Sequence, residues 1–182
     1  MNTLLFTLGT LILAFISRAS LNQPRSHGFY RFFAWEAILA LFLLNMDFWF
    51  RDPFAWYQLI AWMLLIASLV PLAFGVHSLR SGGKPANRRK GDPSLLAFEK
   101  TTQLVTTGIY RYIRHPLYSS LFLLAWGIFF KLPSLIGGIL VVIATVFLFL
   151  TAKADEAECT KFFGHEYREY IKKTKMFIPF LF

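Results

Sequence analysis

Five apolar runs divide this chain, and their lengths are those of a lipid bilayer rather than of a soluble core. They extend over Thr3–Ile16, Phe32–Phe50, Phe54–Leu79, Leu117–Phe130 and Leu132–Leu150. A helix crosses a bilayer with roughly 20 apolar residues, within about 17–25. The second, third and fifth runs reach that length, whereas the first and fourth need their flanks. Composition agrees: 56% of the 182 residues are hydrophobic, 21 are Phe and only 16% are charged, against about 25% in ordinary globular proteins. Disorder, collagen-like fibres and disulfide scaffolds are excluded. The lone Cys159 cannot form an internal disulfide or supply a thiolate cluster. Nothing alternates with the period of a membrane barrel. The expected fold is all-α and integral to the membrane: five transmembrane helices, with a C-terminal helical hairpin and a cytoplasmic helical tail. The chain reads as a single membrane domain, 1–182, with three N-terminal spans (1–79) followed by a loop, hairpin and tail (80–182).

The formal charge of +9 is distributed by loop. Arg18, Arg25 and Arg31 lie between the first two runs with no acid. Arg51 and Asp52 offset one another in the second connection. The third, Arg80 to His115, carries eight Lys and Arg against Asp92 and Glu99, and the fourth holds only Lys131. Odd loops are thus basic and even ones are not. By the positive-inside rule the N-terminus is outside, with loops one and three and the tail in the cytoplasm. Met1 opens the first run without a basic n-region, and no A-x-A-like site follows, so the run is expected to stay in the chain. Topology accounts for the charge without nucleic acid. Lys131 to Ser134, with Pro133, should close a tight antiparallel hairpin whose helices Gly127, Gly137 and Gly138 let approach. Arg80 to Pro93 reads as a polar linker.

Two segments stand out chemically. Leu104 to Tyr118, LVTTGIYRYIRHPLY, runs into the fourth span. Pro116 suits the first turn of a helix, which puts His115 near the cap beside free N–H groups, flanked by Arg111 and Arg114. That is an anion site, and Tyr110, Tyr112 and Tyr118 set aromatic faces beside it. The same residue types also collect at any membrane interface. The second segment, Asp155-Glu156-Ala157-Glu158, follows the fifth span and leads to FFGHEYREY. Those carboxylates suit either a solvated face paired with Lys153 and Lys161, or the binding of an ammonium or ribose hydroxyls. Glu36, Asn45 and Asp47 sit in the second span, with Glu36 and Asp47 expected on one face and in structural use. His77 is expected packed or interfacial, and His27 and His165 solvent-facing. No Cys/His pair has metal-ligand spacing, so no metal is expected, and no dinucleotide or P-loop fingerprint occurs.

Leu104-Val105-Thr106-Thr107-Gly108-Ile109-Tyr110 with Arg114-His115-Pro116-Leu117-Tyr118 resembles the LVTxGxYxxxRHPxY signature of the isoprenylcysteine carboxyl methyltransferases and phospholipid N-methyltransferases. Asp155-Glu156, then Phe163-Gly164 with Tyr167 and Tyr170, then Pro179, resemble that family's acidic pair, FGxxYxxY and late proline. The resemblance covers Leu104 to Pro179; the first three spans carry no such motif. It implies an integral membrane methyltransferase using S-adenosylmethionine without a Rossmann domain. Carried over, it implies cofactor binding by Leu104, Val105, Tyr110, His115, Pro116, Leu117, Tyr118, Asp155 and Glu156, with positioning by Arg114, Tyr118 and Asp155. Asp155 stands where the family usually has Glu. Thr151 stands where the carboxyl methyltransferases have a substrate-contacting Arg, which speaks against a prenylcysteine carboxylate. The acceptor implied is lipophilic, a lipid or a small apolar molecule. The alternatives are a phospholipid-amine N-methyltransferase and a non-catalytic scaffold or transporter, although no repeat is visible and Pro71 is the one mid-span proline. Oligomeric state is not legible.

Overall fold

The computed structural model describes residues 3–83 and 101–178. Six helices occupy them: α1 Thr3–Leu21, α2 His27–Asn45, α3 Trp56–Gly82, α4 Pro116–Phe129, α5 Leu135–Phe163 and α6 His165–Lys173. Among the described residues there is no strand; an isolated parallel bridge joins Ile113 to Lys175. Most of the expected linker, 84–93, and Pro179 lie outside the described residues.

Local signals set the boundaries. The Ser26 hydroxyl accepts from Phe29 N–H at 3.1 Å and starts α2, and Ser134 does the same for Gly137 at the head of α5. Pro116 opens α4 at the position where a missing N–H costs nothing. Four helices, α1, α2 with its 46–48 extension, α3 and α5, are long and apolar enough to cross a membrane. The fourth run instead yields a helix of 14 residues, shorter than a crossing. The fifth begins three residues later than the apolar run and continues well past Leu150, so Asp155, Glu156 and Glu158 ride on the same rigid helix as the apolar span.

Packing pairs α2 with α5 and α3 with α4. Ala37, Ile38 and Leu41 of α2 meet Val141 and Ala144 of α5, with Leu65, Ala125 and Ile128 closing the cluster. Small residues at these contacts bring the helix axes close. Gly127 does not serve the α4–α5 turn as expected. A Cβ there would meet Leu65 of α3 at 2.9 Å, so its smallness seats α4 on α3. Gly137 and Gly138 face Phe129 of α4 at 3.4 Å or more. Outward faces remain apolar, including Leu8, Leu11 and Phe15 of α1, Met63, Ile66 and Val70 of α3, and Ile139, Val142 and Val146 of α5. Apolar surface of that extent suits lipid rather than water.

The end of the bundle remote from the two motifs is closed by a buried cation. Lys131 is wholly buried. Its ammonium lies 3.4 Å from the Trp62 ring centroid and donates to Gln58 Oε1 at 3.0 Å and Trp49 O at 3.2 Å. Gln58 Nε2 donates to Phe48 O and Lys131 O, at 2.9 and 3.0 Å. One α3 side chain thus stitches both turns at that end. Asn45 adds a 2.9 Å bond to Ile128 O. Glu36 accepts from Thr10 across α1–α2 at 2.8 Å. Asp47 does not share its face: α2 stops at Asn45, and Asp47 is exposed in the turn that follows. Gln58→Leu strips the Lys131 charge and two carbonyls of a partner at nearly constant volume. It should cost about 3 kcal/mol, read as a lower thermal midpoint in detergent; an unchanged midpoint would remove the cluster from the account of stability.

Candidate functional site

The segment before α4 is shaped by Gly108. Its φ of 62° lies in the left-handed region, and a Cβ would meet Ser78 Oγ of α3 at 2.5 Å. Glycine therefore lets the 108–111 turn settle on α3 and bury Tyr110. The chain next runs alongside the C-terminal segment. Lys175 N–H donates to Tyr112 O, Arg114 N–H to Lys175 O, and His115 N–H to Met176 O, at 3.0, 2.9 and 3.2 Å. His115 is held non-helical by the following proline (φ −125°, ψ 58°) and caps α4. At the other motif, Gly164 (φ 62°) breaks the chain between α5 and α6. Tyr167 and Tyr170 are thereby turned inward and buried, and Tyr170 O–H donates to Tyr110 O at 2.6 Å. That bond ties the two motifs together.

Between them lies a cavity of about 660 Å³, counted to its open mouth. Leu104, Val105, Tyr110, Arg114, His115, Pro116, Leu117 and Tyr118 line it from the first motif, and Asp155 from the second. His115 and Tyr118 stack, with centroids 5.4 Å apart and planes 23° from parallel.

The charges form one connected network. His115 Nδ1 is 3.4 Å from Asp155 Oδ2, and its Nε2 is 3.6 Å from Glu156 Oε1. Glu156 takes a short bond from Arg114 Nε and a 3.1 Å bond from Lys153. Arg114 Nη1 donates to Thr174 O at 2.7 Å. Glu156 is thus committed to cations of the protein behind the cavity and does not line it, whereas Asp155 does. Burial alone would lower the His115 pKa, but hydrogen bonding and charge from Asp155 and Glu156 outweigh it and hold the ring above its ordinary value. Burial, with Cys159, Asp155 and Glu156 nearby, pushes the Tyr167 phenol up, so it stays an O–H donor. Burial likewise raises Tyr170.

Sequence reasoning missed several lining residues. Leu79 and Thr101 complete the wall beside α3, and Cys159, Phe163, Tyr167 and Tyr170 the wall beside α6. Cys159 Sγ lies 3.5 Å from Asp155 Oδ1, an i,i+4 relation legible once the helix is known to continue. Tyr167 and Tyr170 were visible as part of a motif but had no assigned role. The expectation for His27 is overturned: it is wholly buried. Its backbone N–H donates to Glu158 Oε1 at 2.8 Å and its Nδ1 bonds Glu158 Oε2. The contact spans 131 residues, and only helix packing creates it. Donor atoms of His27, Asp155 and Glu158 lie within 4.8 Å of one another, a grouping close enough to hold a metal ion that the sequence spacing did not suggest. His165 is exposed as expected, its side chain 82% accessible, and His77 is exposed near the end of α3.

Comparison with known proteins points the same way. Residues 93–166 match the phospholipid methyltransferase family model. Over 79 residues, 43% of this chain, the sequence is 35% identical to protein-S-isoprenylcysteine O-methyltransferase of Schizosaccharomyces pombe. It is 36% identical over 83 residues, 44% of the chain, to the Homo sapiens protein of that name. It is 29% identical over 73 residues, 39% of the chain, to methanethiol S-methyltransferase 1 of Bradyrhizobium diazoefficiens. These stretches span 34%, 29% and 24% of the relatives' own lengths. No solved structure matches. The resemblance read from the motifs to this group of methyltransferases is thus shown.

A raised His115 pKa means that the folded state binds a proton more tightly than the unfolded chain. Its contribution to stability is complete below the ordinary value of 6.5 and is lost as pH rises through the folded value. The thermal midpoint in detergent should therefore fall as pH is taken upward from 6.5, and His115→Asn should flatten that fall. Equal slopes in both proteins would assign the pH dependence elsewhere.

Proposed function

We propose that this chain transfers a methyl group from S-adenosylmethionine to a lipophilic acceptor. The observation that carries the reading is the cavity itself: residues of two motifs that match methyltransferases line one chamber that includes the carboxylate of Asp155, stacked aromatic rings and a helix start. Their chemistry fits the donor. Asp155 accepts from an ammonium. Protonated His115 and the first-turn N–H groups of α4 attract a carboxylate. Tyr118, Tyr110 and Tyr167 face a heterocycle or sulfonium. When bound, the donor supplies an electrophilic methyl group; the residues orient it and exclude water. Arg114 acts by positioning, since it holds Glu156 and the C-terminal segment in place.

In this reading α4 and its flanking turns complete a fifth crossing, and the whole chain is one membrane unit. The N-terminus lies outside, and the basic loops place the cavity on the cytoplasmic side. A groove between α1, α2 and α4, lined by Ile12, Ile16, Trp35, Leu39, Leu121 and Leu124, starts one turn from Tyr118 and gives an apolar acceptor its approach. A small thiol is the second acceptor reading. Thr151 favours it: buried, with its hydroxyl bonded to Phe147 O at 2.7 Å, it offers no cation to an acceptor carboxylate.

Calorimetric titration of the detergent-purified chain with S-adenosylhomocysteine should show binding, weakened about tenfold or more by His115→Ala and by Tyr118→Ala. Undiminished affinity in both variants would dismiss the cavity as the donor site. Asp155→Asn should lower methyl transfer more than Glu158→Gln, because Glu158 is spent on His27. The reverse ranking would move the ammonium-binding role to Glu158.

A further inference from the structure

The described residues also contain a second cleft with a different chemistry. It lies between the end of α5 and the segment leaving α6, on the far side of Arg114 from the donor cavity; Arg114 lines both. Lys153, Lys172, Lys173 and Lys175 stand around it, over a floor that includes Phe149 and Met176. With Arg114 that makes five cations. The carboxylates paired with them are Glu156, with Arg114 and Lys153, and Glu169, with Lys172 at 2.7 Å. The positive excess is three. Lys172, Lys173 and Lys175 are all exposed, and the Lys153 side chain is 51% accessible.

The position of the cleft narrows its ligand. Ile139, Val142, Val146 and Phe149 are exposed apolar residues spaced three or four apart on α5, and so form one outward stripe. Lys153 is the next residue on that stripe, its ammonium 5.7 Å from the Phe149 ring centroid. The stripe therefore ends, one turn later, in a ring of lysines. Hydrocarbon laid along the stripe brings whatever it carries at its polar end into the cleft. Lysine stems lying on apolar surface with their ammonium groups at the polar boundary suit headgroup depth, and clustered cations just beyond a span attract anionic lipid.

We propose that this cleft binds the phosphate of an anionic phospholipid whose acyl chain lies along the α5 stripe. The lipid is a bound, non-reacting ligand. The Arg114–Glu156 pair separates it from the cavity that holds His115, Tyr118 and Asp155, and the assignment does not rest on the methyltransferase reading. The full chain is placed in nanodiscs of phosphatidylcholine with a minor fraction of phosphatidylglycerol, and the lipids retained on ejection are counted by native mass spectrometry. Phosphatidylglycerol should be enriched several-fold over its share of the disc. Lys173→Gln/Lys175→Gln should abolish the enrichment, while Arg18→Gln/Arg25→Gln, which removes equal charge from the α1–α2 connection, should leave it. Circular dichroism confirms that both variants keep their helix content. Retention in proportion to the disc, or equal enrichment in the cleft variant, overturns the site. Loss of the enrichment in millimolar inorganic phosphate at constant ionic strength shows a free-phosphate site and overturns the lipid assignment.

Discussion

Glu156 is where three distant parts of the chain are fastened. It rides on α5, takes Arg114 from the segment before α4, and through Arg114 reaches Thr174 of the C-terminal segment. A carboxylate so nearly removed from water is tolerable only with partners, and removing one leaves the others stranded. The pairing of residues 112–115 with 175–176 follows from the same arrangement. Without that clasp the His115 ring has no fixed place opposite Asp155, and the cavity loses a wall. Glu156 is in this sense structural, and its neighbour Asp155 stays turned to the cavity.

The N-terminal spans carry no matching motif, yet they hold this assembly up. Ala34 of α2 packs under Tyr118 with Leu148 and Ala152, and one to two turns away His27 grips Glu158 by both backbone and ring. The α5 acidic segment is thus held from two sides, by α2 and by the α4 entry. A short α4 fits this arrangement. It sits on α3 through Gly127 against Leu65 and through Pro116 and Leu117 against Gly75, and Leu117 also packs with Ile109 and Tyr110 of the 108–111 turn, so its first residues are fixed irrespective of how far it reaches.

Three openings meet near these elements with different linings. The cavity is polar and aromatic, the α1–α2–α4 groove is almost wholly apolar, and the cleft beyond Arg114 is basic over an apolar floor. The three linings thus differ in chemistry although the openings lie close together.

What a residue's neighbours in sequence decide was legible in advance. The apolar runs marked the helices and Pro116 marked the start of α4, because hydrophobic length and a missing N–H are local properties. The two motif segments announced their chemistry for the same reason. Contacts across the chain were not legible. His27 looked like a loop histidine until α2 lay against α5. Gly127 looked like a residue for the neighbouring helix until α4 lay on α3. Glu156 could not be told from Asp155 by spacing, since adjacent residues on a helix point about 100° apart and only the surrounding helices decide which faces the cavity. Local covalent geometry is written residue by residue. The environment of a side chain is set by whichever helix packs beside it, and that is a property of the whole fold.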